Sequence, residues 1–150
     1  EIKERDDSKP ISLLVHSFAE LHKLNINTEI PEVVELYWPG PLTIVVEVND
    51  IFPSGVGTTN PNSIGIRVPE HSAALELLRL TGPLAVTSAN KSGMEEAKNH
   101  IEAKKIFGES VEAYIEGQAT HGEGSTVVDL RIDGGEILRQ GPLKWPPTYC

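Results

Sequence analysis

Cysteine is nearly missing from this chain. The only one, Cys150, is the last of 150 residues, so no internal disulfide can form, and a thiol at a fraying terminus is a poor nucleophile. Such cysteine usage suits a reducing compartment, and a cytoplasmic location is expected. Long apolar runs are missing as well. Nothing approaches the roughly 18 continuous apolar residues of a membrane span, and no basic-then-apolar export signal opens the chain. Positive charge is scarce: 13 Lys and Arg stand against 22 Asp and Glu, a formal net charge of −9. Domains that live on non-specific nucleic-acid contact are usually basic. An anionic ligand must therefore be met by a local basic pocket rather than by the whole field. No metal centre is signalled, because His22, His71, His100 and His121 are scattered without ligand spacing. No Walker loop, Ser-His-Asp order or paired catalytic carboxylate stands out. No catalytic side chain is therefore assigned. That absence suits a reaction between groups already reactive, to which the protein contributes positioning and charge stabilisation.

The apolar residues that are present alternate between two periods. Residues 11–15, 42–48, 63–68 and 84–86 read as strands, the second rich in β-branched side chains. Ser17 and Glu20 form a capping box before a helix to about Leu24, with Phe18, Leu21 and Leu24 facing inward. Pro31 opens a second helix, which Pro39-Gly40-Pro41 ends. A third helix starts at Pro69 and runs over 70–80, with Ala73, Ala74, Leu77, Leu78 and Leu80 at helical spacing. Gly82-Pro83 breaks it. A fourth runs from about His100 to Phe107 and stops at Gly108. Residues 111–115 are expected to form a strand. Residues 126–130 and 136–139 form two more, joined across Asp133-Gly134-Gly135, a strong hairpin signal. Residues 49–62 and 117–124 are expected to be loops. Strands mixed with single helices plus a hairpin argue for an α/β chain of α+β type with a mixed sheet. It is a single domain over 1–142, with 143–150 as a linker or tail.

Several stretches carry candidate chemistry. An apolar run, Leu84-Ala85-Val86, stops at Thr87-Ser88-Ala89-Asn90-Lys91-Ser92-Gly93. Small neutral donors and acceptors clustered at a strand end can hold an oxyanion or a phosphate. The same composition also makes an ordinary polar turn. Lys3, Arg5 and Lys9 lie among Glu1, Glu4, Asp6 and Asp7, which reads either as a solvated surface or as part of an anion site. Arg67 sits in an apolar strand. Alternation puts Ile64, Ile66 and Val68 on one face and Ser63, Gly65 and Arg67 on the other. That second face is either ligand-facing or the sheet's wet side.

Six words of the sequence, in order, resemble the YrdC/TsaC family of threonylcarbamoyl-adenylate synthases. They are Lys3-Glu4-Arg5 with Lys9-Pro10, Trp38-Pro39-Gly40-Pro41-Leu42-Thr43, Ser63-Ile64-Gly65-Ile66-Arg67-Val68-Pro69, Ser88-Ala89-Asn90-Lys91-Ser92-Gly93, Ser125-Thr126-Val127-Val128-Asp129, and Leu138-Arg139-Gln140-Gly141. The resemblance implies a twisted, mostly antiparallel open sheet with flanking helices. By the same resemblance, Lys3, Arg5, Lys9, Ser63, Ser88, Asn90 and Arg139 meet ATP, and Arg67, Thr87 and Ser125 meet threonine. His16 either joins the threonine group or serves the helix that follows it. Where this chain has Gly124 the family often has Glu. The implied reaction turns L-threonine and bicarbonate into N-carboxy-threonine, whose carboxylate attacks the α-phosphate of ATP. Threonylcarbamoyl-AMP and pyrophosphate result. Mg²⁺ is expected on the phosphates. The implied partner is a tRNA threonylcarbamoyl transferase, with tRNA or other RNA contact and no membrane. The alternative is a double-stranded-RNA or nucleotide-binding module without synthase activity. The family's Lys-Xaa-Arg word follows a strand and helix, so the chain is expected to lack an N-terminal portion that carries part of the substrate site.

Overall fold

The computed structural model describes residues 11–59, 62–119 and 124–146. Seven strands form one open sheet: β1 (Ser12–Leu14), β2 (Leu42–Glu47), β3 (Thr58–Thr59), β4 (Asn62–Arg67), β5 (Leu84–Val86), β6 (Thr126–Asp129) and β7 (Glu136–Arg139). Their order is β5-β1-β4-β2-β6-β7, with β3 hydrogen-bonded to β4. The β1–β4 and β2–β6 pairs are parallel. The β1–β5, β2–β4, β3–β4 and β6–β7 pairs are antiparallel. The sheet is therefore mixed and mostly antiparallel, as expected. Its helices are α1 (Val33–Leu36), α2 (Ser72–Thr81) and α3 (His100–Phe107), together with a 3₁₀ turn at Phe18–Lys23.

The period of two sorts each central strand into an inner and an outer set. Leu42, Ile44 and Val46 of β2, Ile64, Ile66 and Val68 along β4, and Thr126 and Val128 of β6 are all buried on one face. The same core holds Leu13, Val15, Leu21, Val34, Trp38 and Trp145, with Phe18 and Leu24 packed against it. The opposite residues of the same strands face a hollow.

Local structure departs from the sequence pattern in several places. The Ser17 hydroxyl does not cap. The segment winds as 3₁₀, so the Ser17 carbonyl takes the Glu20 N–H at 3.1 Å. The donor a capping box needs is then already used, and the Glu20 carboxylate pairs with Lys23 instead. Helix α2 begins at Ser72, three residues beyond the Pro69 start expected, because the His71 imidazole caps it by accepting the Ala74 N–H. Leu80, expected on its inner face, is exposed. Residues 111–115 form no strand. Their neighbourhood bonds across α3 instead: Tyr114 donates to the Gly108 carbonyl, Gly117 N to His100 Nδ1, and Ala119 N to the Lys98 carbonyl. The two-residue β3 lies inside a stretch expected to be loop, and it is too short to show a period.

The hairpin forms where the Asp-Gly-Gly signal placed it, with both glycines at positive φ. The segment expected to be a tail is packed as far as it is described. The Thr126 hydroxyl donates to the Leu143 carbonyl at 2.7 Å, and Trp145 Nε1 donates to the Gly134 carbonyl at 3.0 Å.

Candidate ligand-binding site

The outer face of the sheet floors a cavity of about 750 Å³. Every strand contributes to its lining, and the loop after β5 closes one side. Six of the residues singled out from sequence meet here: Ser63 and Arg67 from β4, Thr87 and Ser88 from the loop, Ser125 at the start of β6, and Arg139 from β7. Asn90 stands behind them. It accepts the Ser88 hydroxyl at 2.7 Å and donates to the Met94 carbonyl at 2.7 Å, which fixes Ser88 in the loop. His16 does not line the cavity. Lys3, Arg5 and Lys9 lie outside the described residues.

The recurring sequence words explain how the cations are held. Gly40 brings its backbone close to Tyr37, where a Cβ would lie 2.2 Å from the Tyr37 carbonyl oxygen. This approach places the Gly40 carbonyl where Arg67 Nε donates to it at 2.9 Å. Trp38 secures the same turn, its Nε1 donating to the Leu42 carbonyl at 2.8 Å. Arg139 is held from the other side, with Nε on the Ser125 carbonyl at 3.0 Å and Nη2 on the Ser125 hydroxyl at 3.2 Å. Gly141 allows this hairpin to close. A Cβ there would lie 2.4 Å from Thr126 N, and the Gly141 N–H instead donates to the Thr126 hydroxyl. Gly124 leaves the guanidinium room, since a Cβ there would lie 3.0 Å from Arg139 Cζ.

Neither guanidinium is in an ion pair among the described residues; the pairs there join Lys23 to Glu20, Arg79 to Glu76, and Arg131 to Asp129. Burial, and then the like charge of Arg139, push the Arg67 guanidinium below its ordinary value, while Glu70 opposes them. Two cations that repel in one hollow make a receptor for an anion. Glu96 is the only carboxylate in the lining among the described residues. Among the described residues, no three acidic, histidine or cysteine side chains gather to hold a metal ion.

Among the described residues, four polar side chains of the lining received no role from the sequence: Ser12, Thr43, Thr58 and Glu96. Thr43 was legible as part of a word, and its position opposite the buried Leu42 and Ile44 was the signal that it faces the hollow. Ser12 is similarly placed beside Leu13. Glu96 lies in irregular chain and left no periodic trace.

Comparison with known proteins adds a second line of observation. The Sua5/YciO/YrdC family model, described as "Telomere recombination", matches residues 1–141. The chain belongs to the Sua5/YciO/YrdC family. A relative from Pyrococcus abyssi, named threonylcarbamoyl-AMP synthase, is 35% identical over 150 residues, covering 95% of this chain and 43% of its own. The human protein of the same name is 30% identical over 149 residues, covering 93% of this chain and 53% of its own. A Mycobacterium tuberculosis relative, 33% identical over 144 residues, is covered to 66% of its length and this chain to 94%. The chain therefore spans less than two thirds of the length of these family members. The crystal structure of P. abyssi Sua5 complexed with L-threonine matches with a TM-score of 0.80 at 33% identity, over 92% of this chain and 42% of that one. Escherichia coli YciO matches with a TM-score of 0.72 at 23% identity, over 97% of this chain and 72% of that one, and speaks for the family fold alone. No described helix is long and apolar enough to cross a membrane.

Proposed function

We propose that this chain carries the nucleotide- and threonine-binding domain of a threonylcarbamoyl-AMP synthase, a nucleotidyltransferase acting in tRNA modification. The observation that carries this reading is the pair of guanidiniums, Arg67 and Arg139, facing one hydroxyl-lined hollow with no ion-pair partner among the described residues. The relatives' name supports the choice of substrates.

In this reading Arg67 clamps the carboxylate of L-threonine, for which its planar fork is suited. Thr87 and Ser125 contact the same amino acid. Ser63, Ser88 and Arg139 meet the nucleotide, with Asn90 holding Ser88, and Lys3, Arg5 and Lys9 would join them on the phosphates. L-threonine and bicarbonate condense to N-carboxy-threonine and water. Its carboxylate attacks the α-phosphorus of ATP, and the bond to the bridging oxygen breaks to release pyrophosphate. The residues need only align the two reactants and neutralise the charge that builds on the α-phosphate. With one carboxylate in the lining among the described residues, Mg²⁺ would arrive on the nucleotide, partly neutralising its phosphates. The threonylcarbamoyl-AMP would pass to a separate tRNA threonylcarbamoyl transferase in the cytoplasm.

Threonine- and bicarbonate-dependent pyrophosphate release tests the reading. Ser125→Ala should raise the threonine KM more than the ATP KM, and Arg139→Ala should do the reverse. Release that needs no threonine, or tight RNA binding that weakens steeply with salt without any turnover, would refute it.

A further inference from the structure

Two buried hydroxyls on the cavity floor do not balance their hydrogen bonds among the described residues. Thr43 Oγ1 and Ser125 Oγ are 2.7 Å apart, and either atom can be the donor. Both residues are more than nine-tenths buried, at 7% and 4% exposure, and both line the hollow. Arg139 Nη2 reaches the same Ser125 oxygen at 3.2 Å. A guanidinium only donates, so one lone pair of Ser125 Oγ is already taken.

The remaining hydrogens can then be counted. If Thr43 donates to Ser125, the serine oxygen is full as an acceptor and its own proton has no acceptor within the pair. If Ser125 donates to Thr43, the threonine proton is the one left over. In both cases one O–H donor is left to face the cavity. Thr43 is β-branched and stiff at χ1, with its hydroxyl on Ser125 and its methyl toward Gly65, where a Cβ would lie 3.4 Å from Thr43 Cγ2. A buried donor without an acceptor is costly, and a ligand oxygen removes that cost.

We propose that Thr43 is a positioning residue of this site. It holds the Ser125 hydroxyl so that the pair presents a single donor to an acceptor oxygen of the amino-acid moiety, beside the Arg139 guanidinium. The inference rests on the synthase reading and names the group that reading leaves unassigned. It also predicts a preference. A ligand with a carboxylate or carbonyl oxygen at this point binds, and one with only a hydrogen-bond donor there does not.

The test compares Thr43→Val, which keeps the shape and removes the hydroxyl, with Thr43→Ser, which keeps the hydroxyl and removes the methyl. L-Threonine binding is measured by calorimetry, and KM values by pyrophosphate release. Thr43→Val should weaken threonine roughly 3- to 10-fold, the value of one neutral hydrogen bond, with the ATP KM changed less than about twofold. Thr43→Ser should restore threonine binding to near the parent value even where its melting temperature falls. Parental threonine affinity in Thr43→Val, or equal losses in both variants, would overturn the inference, the second outcome showing a packing role. A parent protein that binds threonine but releases no pyrophosphate refutes the synthase reading while leaving the Thr43 comparison decisive. A parent that binds no threonine overturns both.

Discussion

Replacing Arg67 by lysine tests the site most directly, because it keeps the charge and changes only its shape. Arg67 spends Nε on the Gly40 carbonyl at 2.9 Å. The two terminal nitrogens of its fork remain for a ligand carboxylate. A lysine ammonium is a single point that cannot hold the Gly40 carbonyl and also present two parallel donors. The substitution therefore removes one charge-assisted hydrogen bond, about 1.5–3 kcal/mol, or roughly 10- to 150-fold in threonine affinity. The cation stays, so long-range attraction for the nucleotide changes little and the ATP KM should move less than about threefold. Calorimetric titration of L-threonine, with ATP kinetics alongside, separates these outcomes. Threonine affinity within twofold of the parent, or equal losses for threonine and ATP, would show that Arg67 does not clamp the amino-acid carboxylate.

Two further predictions concern the frame of the site. Asp129 accepts two side-chain hydrogen bonds from Arg131, at 2.8 and 2.6 Å, and these hold its carboxyl below the ordinary range. A depressed carboxylate adds stability above its unfolded value, near 4, and loses it as pH falls through the lower folded value. Arg131→Gln should thus lower the urea midpoint at pH 7, and the gap to the parent should narrow as the pH falls below about 4; an equal gap at pH 7 and pH 3 would contradict this assignment. His71 caps α2 through Nδ1 and, through Nε2, lies 3.1 Å from the Gln118 carbonyl. His71→Ala should cost about 1 kcal/mol in urea unfolding, with Asn recovering part of it, whereas an unchanged midpoint would mean the cap is idle.

Much of the sheet could be read before the structure, for a physical reason. Strands β2 and β4 place Leu42, Ile44, Val46, Ile64 and Ile66 at alternate positions, and Ile64-Gly65-Ile66-Arg67 announces both a buried face and a face free for a ligand. The hairpin was equally plain, because Gly134 and Gly135 adopt backbone angles that suit little else. Where local pattern met competing partners, it misled. The run at 111–115 has strand composition, but its neighbourhood bonds across α3 and leaves no ladder to join. Ser17 and Glu20 have the spacing of a box, but the 3₁₀ winding consumes the donor. The six singled-out residues that converge came from words whose glycines, Gly40 and Gly141, allow close backbone approaches. Thr43 escaped notice because its role depends on Ser125, 82 positions away, which no local pattern reveals.

That the hollow borrows from all seven strands bears on how the protein is made. A ribosome delivers Arg67 well before Arg139, yet the two must share one chamber. Until the β6–β7 hairpin docks beside β2, the growing polypeptide lacks both Arg139 and the wall opposite Arg67. Binding competence thus waits on one hairpin rather than growing strand by strand.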